Sequence, residues 1–243
     1  NEIKNNYENL ILVDCESYER ATEKIQKFAN NKFKILIDHH QTNKFDGDFN
    51  LIFPQAIAAA EIIFYLTKEF NIQSSEIATL LLLGIMGDTL NLTVEFEKEK
   101  LVEVLEMIVQ LIKWGGDFNL VNKVLLLKSF AEFKKITEIS LRVNQENCVF
   151  WVVVEGGEIQ SSILANSLNR IREAKIIIVI EDFKDYLRIH FRSKGEIDVG
   201  ELAQKYFNGG GHKNASGGRL NMQLNEGIKY TLEKTKEFLK FSV

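Results

Sequence analysis

The sequence predicts an α/β protein with two domains: a parallel-sheet domain, then a smaller α/β domain with a mixed sheet, with a cleft between them. Its 243 residues give room for one large domain or two small ones, and for a sizeable core. Short runs of Ile and Leu at Asn9–Val13 and Lys34–Ile37 are typical of buried strands in parallel sheets. A second alternation of strand and helix patterns begins at Val149. We expect the first domain at residues 1–115, a helical connector at 116–140 and the second domain at 141–243.

The first half is organised around the strand that ends in Asp38-His39-His40. Between the two strands, Ser17–Asn30 has the apolar spacing of a helix, which predicts a βαβ unit with a right-handed crossover. Both strands are then parallel, so Asp14, which follows the first strand, emerges at the same edge as Asp38-His39-His40. Ligands bind just outside the carboxyl ends of the strands in such sheets. A strand that simply ends in polar residues is the alternative, but two adjacent histidines favour a site.

The rest of the first half predicts a polar rim at Gln41–Pro54, followed by helices. Ser74 or Ser75 is a natural cap for a helix whose apolar run reaches Gly84-Ile85-Met86-Gly87. We expect these glycines to stop the helix and a turn to present Asp88. An acid in such a turn is common, so Asp88 alone would not indicate a site. The other predicted helices are Gln55–Phe70, Leu101–Trp114 and Phe118–Glu138, with a break at Gly115-Gly116-Asp117.

The second half predicts a half-buried strand and a glycine-rich loop. Tyr186–Arg192 alternates apolar residues with basic ones, which places Arg192 on the outward face. In Asn208–Gly218, three consecutive glycines allow close approach of the backbone to an anion, and His212 or Lys213 adds charge. Many such loops are only turns. The remaining predicted elements are the strands Val149–Val154, Lys175–Ile180 and Arg219–Met222 and the helices Ser161–Ala174, Val199–Phe207 and Asn225–Phe241.

Composition limits nucleic-acid binding to a local site and gives no pattern for a membrane span. The net charge of -4 gives no bulk attraction to nucleic acid, so any such binding is local. Cys15 and Cys148 lie far apart without metal-type spacing, which favours a reduced, cytoplasmic protein. No apolar run approaches the roughly 20 residues of a membrane span.

Two motifs in this order resemble the DHH phosphoesterase family. Asp38-His39-His40 matches the motif that names the family. Gly209-Gly210-Gly211-His212, followed by Ala215-Ser216-Gly217, is similar to the signature of its associated C-terminal domain. The chain looks most like the group of nanoRNases and 3′-phosphoadenosine-5′-phosphate phosphatases. The resemblance implies hydrolysis of short oligoribonucleotides or of that nucleotide.

Carried over residue by residue, the resemblance implies a site for two Mn²⁺ ions. Asp14 matches the acid that bridges the ions, and His39 and Asp88 look like ligands of one of them. Asp38 and His40 are the candidate catalytic residues, with His40 facing the phosphate and Asp38 supporting the ligands. The implied reaction is two-metal hydrolysis by activated water, and such ligand sets suit Mn²⁺. The implied clamp on the substrate consists of Arg192, Gly209, Gly210, Gly211 and His212.

The chain departs from the family pattern before Asp14. The family begins with a motif like HxNPDGD that supplies further ligands, and no such motif is present. The chain is therefore either a fragment of a longer product or a degenerate member, and its start at Asn1 favours a fragment. Gly87-Asp88-Thr89-Leu90 also stands where the family prefers TDTG, and Ser216 replaces an alanine.

Two other functions stay open at this stage. A phosphodiesterase for cyclic dinucleotides would share the motifs, and turnover of linear against cyclic dinucleotides would separate the two activities. A non-catalytic nucleotide or RNA binder would have lost its metals. The partners expected are short RNA oligonucleotides or a nucleoside bisphosphate, with no membrane, and a homodimer is left open.

Overall fold

A computed structural model describes residues 7–15, 25–26, 32–40 and 47–241. The chain divides into two compact units, residues 1–127 and 128–243. That division lies inside the predicted connector, residues 116–140. The predicted helix Ser17–Asn30 lies largely outside the described residues. Within the described ranges, no helix combines the length and apolar character needed to cross a membrane.

The first unit contains a parallel sheet of three strands in the order β1-β2-β3. Its strands are β1 (Asn9–Val13), β2 (Phe33–Asp38) and β3 (Phe49–Ile52). Val13 lies opposite Ile37 in the register of the first pair. The predicted parallel pair is confirmed, and the carboxyl ends of β1 and β2 meet at one edge of the sheet.

Strand β3 corrects the prediction that Gln41–Pro54 is irregular throughout. Residues 41–46 lie outside the described part of the chain, but Phe49–Ile52 pairs in parallel with β2. Four residues are too few to show a period of two, and only Leu51 and Ile52 are even partly buried. The strand forms because β2 offers it a hydrogen-bonding edge.

Four helices complete the first unit as described. The predicted cap is confirmed, because the Ser74 side chain accepts a hydrogen bond from the backbone N–H of Ile77 at 3.2 Å. Leu82 and Ile85 are fully buried in the core, together with Leu111. The helices are α1 (Ala59–Glu69), α2 (Ser75–Asp88), α3 (Lys98–Lys113) and α4 (Phe118–Leu126).

The glycines of α2 do not stop the helix, contrary to the prediction. The helix continues through Gly84 and Gly87 and ends at Asp88. A Cβ atom at Gly84 would lie 2.7 Å from the Cβ atom of Ala60 in α1. Gly84 is therefore a packing position that lets α1 and α2 approach closely, and Asp88 is the last helical residue.

The single helix predicted for Phe118–Glu138 is also wrong. Leu127 is extended after α4, and a new helix, α5 (Phe130–Ser140), begins two residues after Lys128. Ser129 and Glu132 form a capping box at its start, in which each side chain accepts the backbone N–H of the other. This local signal for the start of a new helix prevails over the continuous apolar pattern.

The second unit contains a mixed sheet, as predicted. The sheet has six strands where four were predicted, in the order β4-β5-β6-β7-β9-β8. Strands β5 and β6 are parallel, and the other neighbours are antiparallel. The strands are β4 (Asn144–Glu146), β5 (Val149–Glu155), β6 (Ile176–Asp182), β7 (Leu187–Ser193), β8 (Gly210–His212) and β9 (Ala215–Leu220). The helices that follow α5 are α6 (Ser161–Leu168), α7 (Val199–Tyr206) and α8 (Leu224–Phe241).

Both faces of this sheet carry a core. All seven residues of β6 are buried, and alternate ones enter different apolar clusters. Ile178 packs with Phe191 and Phe207 on one face, whereas Val179 packs with Leu164 on the other. Helix α6 ends at Leu168, six residues before the predicted Ala174.

The packing at α2 makes a prediction about its two glycines. Gly84→Ala should destabilise the protein by about 1–3 kcal/mol, because the added methyl group meets Ala60. Gly87→Ala is the matched control. A Cβ atom there meets nothing within 4 Å, so the exchange should stabilise the helix by about 0.5–1 kcal/mol. Urea unfolding followed by circular dichroism measures both. Equal stability of the two variants would show that the helices do not cross tightly at Gly84.

Candidate metal centre

Asp14 lies directly after β1, at the edge of the parallel sheet. Its backbone N–H donates to the carbonyl of Ile37 at 3.0 Å, which continues the pairing of β1 and β2. The residue then turns with φ of 57°, a left-handed conformation that aspartate tolerates better than most residues. The turn leaves the carboxylate next to the end of β2.

Asp38 is the last residue of β2 and is fully buried. Its Oδ1 atom accepts hydrogen bonds from the backbone N–H of His39 at 2.8 Å and from Nδ1 of His40 at 2.7 Å. Burial raises the pKa of Asp38, but the hydrogen bond and the charge of His40 outweigh burial and lower it. This carboxylate, which has no exposed surface, holds the backbone of His39 and the ring of His40.

His39 is the central group of the cluster. Its Nδ1 atom lies 3.0 Å from the carbonyl oxygen of Ala56, which only accepts hydrogen bonds, so Nδ1 carries the proton. Its Nε2 atom lies 3.5 Å from Oδ1 of Asp14 and 3.5 Å from Oδ2 of Asp88. Burial lowers the pKa of His39, but hydrogen bonds to Asp14 and Ala56 and the two carboxylate charges raise it overall.

Asp88 reaches the same place from the end of α2. Burial, and then the charge of Asp14, raise its pKa to about 6. Asp14, His39 and Asp88 thus come together from β1, the end of β2 and α2. The predicted convergence of Asp14 with Asp38-His39-His40 is confirmed as geometry.

This arrangement fits a divalent cation. Ligand bonds of about 2.0–2.2 Å place two ligands of one ion about 3.0–3.5 Å apart at angles of about 90–110°. The two 3.5 Å distances from His39 Nε2 match that spacing. One ligand atom from each of Asp14, Asp38, His39 and His40 also lies within 4.8 Å of the others. Carboxylate oxygens and an imidazole nitrogen suit several divalent ions, including Mn²⁺.

Arg192 lies in the second unit and corrects the predicted strand pattern. It was expected to face outward, but it is only 9% exposed. Its Nε atom donates to Oδ1 of Asn166 at 2.7 Å, and Nη1 donates to the carbonyl of Phe191 at 2.8 Å. Both partners are neutral, and no carboxylate pairs with Arg192 in the part of the chain that the structure describes. A buried cation with only neutral partners is suited to bind an anion.

The glycine-rich segment is a short hairpin, not the irregular loop that was predicted. Gly210–His212 forms β8 and pairs with β9, so that Gly211 faces Ser216. Gly211 has φ of 143°, and a Cβ atom there would lie 2.6 Å from the carbonyl oxygen of Ala215. Strand packing by itself therefore requires this glycine. Gly209 and Gly210 precede it, and Gly209 also lies against the backbone of Gly217.

The hairpin brings His212 to the same face of the sheet as Arg192. Arg192 lies opposite Ala215 on β9, and Ala215 lies opposite His212 on β8. Residues paired in this way project to one face, and strands two apart are separated by about 10 Å. Two of the predicted clamp residues thus share one face of the second unit.

Some groups of the site were not predicted. The carbonyl of Ala56 has no signal in the sequence, because any residue offers one. Asn166 is one polar residue among several in α6. Glu61 does have a signal in the sequence, because it is an acid inside an otherwise apolar helical run. In the structure this acid is only 6% exposed.

An imidazole and two carboxylates at the carboxyl edge of a parallel sheet define an α/β protein with a candidate centre for a divalent metal. Two family profiles match this chain: "DHH family, N-terminal domain" over residues 2–85, and "DHHA1 domain" over residues 148–241. The chain belongs to the DHH family of phosphoesterases.

Known proteins similar to this chain agree with that assignment. The probable bifunctional oligoribonuclease and PAP phosphatase NrnA of Streptococcus mutans is 25% identical over 242 residues, which cover 93% of this chain and 76% of that protein. Two uncharacterised mycoplasma proteins also match, and the chain spans 64% of each.

Solved structures show the same fold. An exopolyphosphatase-related protein from Bacteroides fragilis superposes with a TM-score of 0.80 at 20% identity, covering 96% of this chain and 72% of that one. RecJ from Thermus thermophilus, solved in complex with Mn²⁺, superposes with a TM-score of 0.54 at 13% identity, covering 96% of this chain and 45% of that one.

The hydrogen bond between Asp38 and His40 makes a prediction about the metal-free protein. Asp38 raises the pKa of His40, first through that hydrogen bond and then through its charge, against the effect of burial. Asp38→Asn should therefore lower the pKa of His40, measured by NMR titration of the ring protons. His190 in the second unit is an internal control and should titrate unchanged. An unaltered His40 pKa in a folded variant would contradict the proposed pairing.

Proposed function

We propose that the protein is a metal-dependent phosphoesterase that hydrolyses short oligoribonucleotides or 3′-phosphoadenosine-5′-phosphate, with Mn²⁺ as its cofactor. The observation that carries the proposal is the convergence of Asp14 and Asp88 on Nε2 of His39, at 3.5 Å each. The substrate class is supported by the name of the Streptococcus mutans relative, and the choice of ion by the Mn²⁺ in the RecJ complex.

Asp14, His39 and Asp88 would hold one metal ion, and Asp14 would be shared with a second. When bound, such ions activate water and stabilise charge on the phosphoryl oxygens. His39 is prepared for this role because its Nδ1 proton is bound to Ala56 and its Nε2 faces the two carboxylates. In the metal-free protein, burial and then repulsion by the charge of Asp14 raise the pKa of Asp88 to about 6.

His40 would act on the phosphoryl group itself. Asp38 binds its Nδ1 atom and raises the pKa of His40, which favours the form of the ring in which Nε2 also carries a proton. A cationic imidazole donates a charge-assisted hydrogen bond to a phosphate oxygen. Asp38 keeps the ring in that state and orientation, which is a positioning role.

Arg192 and His212 would bind a phosphate of the substrate. The guanidinium of Arg192 is buried against Asn166 and has no anionic partner among the described residues. A phosphate provides the charge that neutral partners cannot. Gly209, Gly210 and Gly211 would contribute by keeping the surface beside His212 free of side chains.

The first test measures hydrolysis and metal stoichiometry together. Mn²⁺ titrated into the 243-residue chain should bind and should support release of mononucleotides from an RNA dinucleotide. Asp88→Asn should reduce turnover more than about 100-fold, since even partners behind metal ligands contribute about 10–100-fold. Glu69→Gln, which changes an exposed acid at the end of α1, is the control and should keep full activity.

The outcomes of that test separate the candidate functions. Faster turnover of a cyclic than of a linear dinucleotide would replace the proposed substrate. Binding of nucleotide without Mn²⁺ binding or turnover would favour the non-catalytic binder. Undiminished turnover by the Asp88→Asn variant would show that Asp88 is not a functional residue of the site.

Metal binding should also depend on pH. Asp88, with a pKa of about 6, must lose its proton before it can bind a cation. The raised pKa of His39 acts in the same direction. Mn²⁺ affinity should therefore increase as the pH rises from about 5 to 7, with release of protons. Isothermal titration calorimetry in two buffers of different ionisation enthalpy measures both quantities. An affinity independent of pH would contradict the assigned ligands.

A further inference from the structure

One peptide group lies between His39 and a buried acid. The carbonyl of Ala56 accepts the hydrogen bond from Nδ1 of His39 at 3.0 Å. The N–H of Ile57, which belongs to the same planar amide, donates to Oε2 of Glu61 at 2.8 Å. The carboxylate of Glu61 is thus connected to the imidazole of His39 through a single peptide bond.

Glu61 is itself held in place. It lies in the first turn of α1, and its side chain is 8% exposed. Its second oxygen, Oε1, accepts a hydrogen bond from Nζ of Lys100 on α3 at 2.8 Å. Lys100 also lies 3.4 Å from Oε2 of Glu103, which is exposed. The Glu61–Lys100 pair fixes the carboxylate between α3 and the Ala56–Ile57 peptide.

Helix capping alone does not account for this arrangement. In a capping box, the acid at the third helical position accepts the N–H of the N-cap residue, which here is Ala58. Glu61 accepts the N–H of Ile57, one residue earlier. It therefore binds the one amide whose carbonyl holds His39.

We propose that Glu61 is a positioning residue for His39, acting through the Ala56–Ile57 peptide, with Lys100 as its anchor. The charge of the carboxylate strengthens the amide dipole, so the Ala56 carbonyl becomes a better acceptor for the Nδ1 proton. The ring is then fixed with Nδ1 protonated and Nε2 directed at Asp14 and Asp88. Carboxylates that bind a ligating histidine directly have this effect on metal sites, and here a peptide group lies in between. The inference rests on the proposed metal centre.

The test uses Glu61→Gln and a matched control. Glu61→Gln keeps the size of the side chain and an acceptor for Ile57 but removes the charge. Glu103→Gln removes the other acid near Lys100. Glu103 lies on α3 with Lys100 and does not contact the Ala56–Ile57 peptide. The first readout is the tautomer of His39 in the metal-free protein, from ¹⁵N NMR of the ring at high pH, where the ring is neutral. The second readout is Mn²⁺ affinity by calorimetry.

Glu61→Gln should increase the population of the Nε2-protonated tautomer and weaken Mn²⁺ binding about 10-fold or more. Glu103→Gln should leave both unchanged. Lys100→Met is a second variant in case Glu61→Gln does not fold, and it should shift both readouts in the same direction by less. Lys100→Arg, which keeps the cation, should restore them.

The results distinguish this inference from the proposed function. A folded Glu61→Gln protein with the wild-type tautomer and affinity overturns the positioning role and leaves the metal centre intact. A wild-type protein that binds no Mn²⁺, but whose His39 tautomer changes in Glu61→Gln, overturns the metal centre and supports the positioning role. Equal losses in Glu61→Gln and Glu103→Gln overturn the specific path through Ile57.

Discussion

The parallel pairing of β1 with β2 is the constraint on which the site depends. With Val13 opposite Ile37, the hydrogen bond from the N–H of Asp14 to Ile37 ends the ladder. Asp14 therefore turns out of the sheet at the level where β2 passes into the two histidines. A slip of one residue would exchange the faces of the strand and expose Asp38, whose carboxylate binds the backbone N–H of His39 and the ring of His40. The register of β1 and β2 therefore determines which side chains form the candidate metal centre.

The site concentrates charge that the metal-free fold does not neutralise. Asp14, Asp38 and Asp88 lie near two histidines, and burial and mutual repulsion hold the pKa of Asp88 at about 6. Such an arrangement costs stability unless a cation occupies the space between the ligands. The apolar core around α2, where Leu82 and Ile85 are fully buried, offsets that cost. The stability of this buried core is what allows the protein to retain an unfavourable electrostatic arrangement.

The sequence predicted what is local and missed what depends on packing. The β1–β2 pair and the Ser74 cap follow from short patterns, and so does the shared edge of Asp14 and His39. The course of α2 through Gly84 could not be predicted, because the reason is the methyl group of Ala60 on another helix. The burial of Arg192 likewise depends on α6, which lies more than 20 residues away in sequence and supplies Asn166.

The hairpin of β8 and β9 shows how a motif can have two explanations. Gly211 is required by the approach of the Ala215 carbonyl and Gly209 by that of the Gly217 carbonyl, so these two glycines need no ligand to account for them. Arg192 is different, since folding alone does not favour a buried guanidinium without an anionic partner among the described residues. Each unit considered separately thus has an unmet electrostatic requirement. The first is suited to bind a cation through Asp14, His39 and Asp88, and the second is suited to bind an anion at Arg192. These charged groups, more than the glycines, therefore support the proposed phosphoesterase activity.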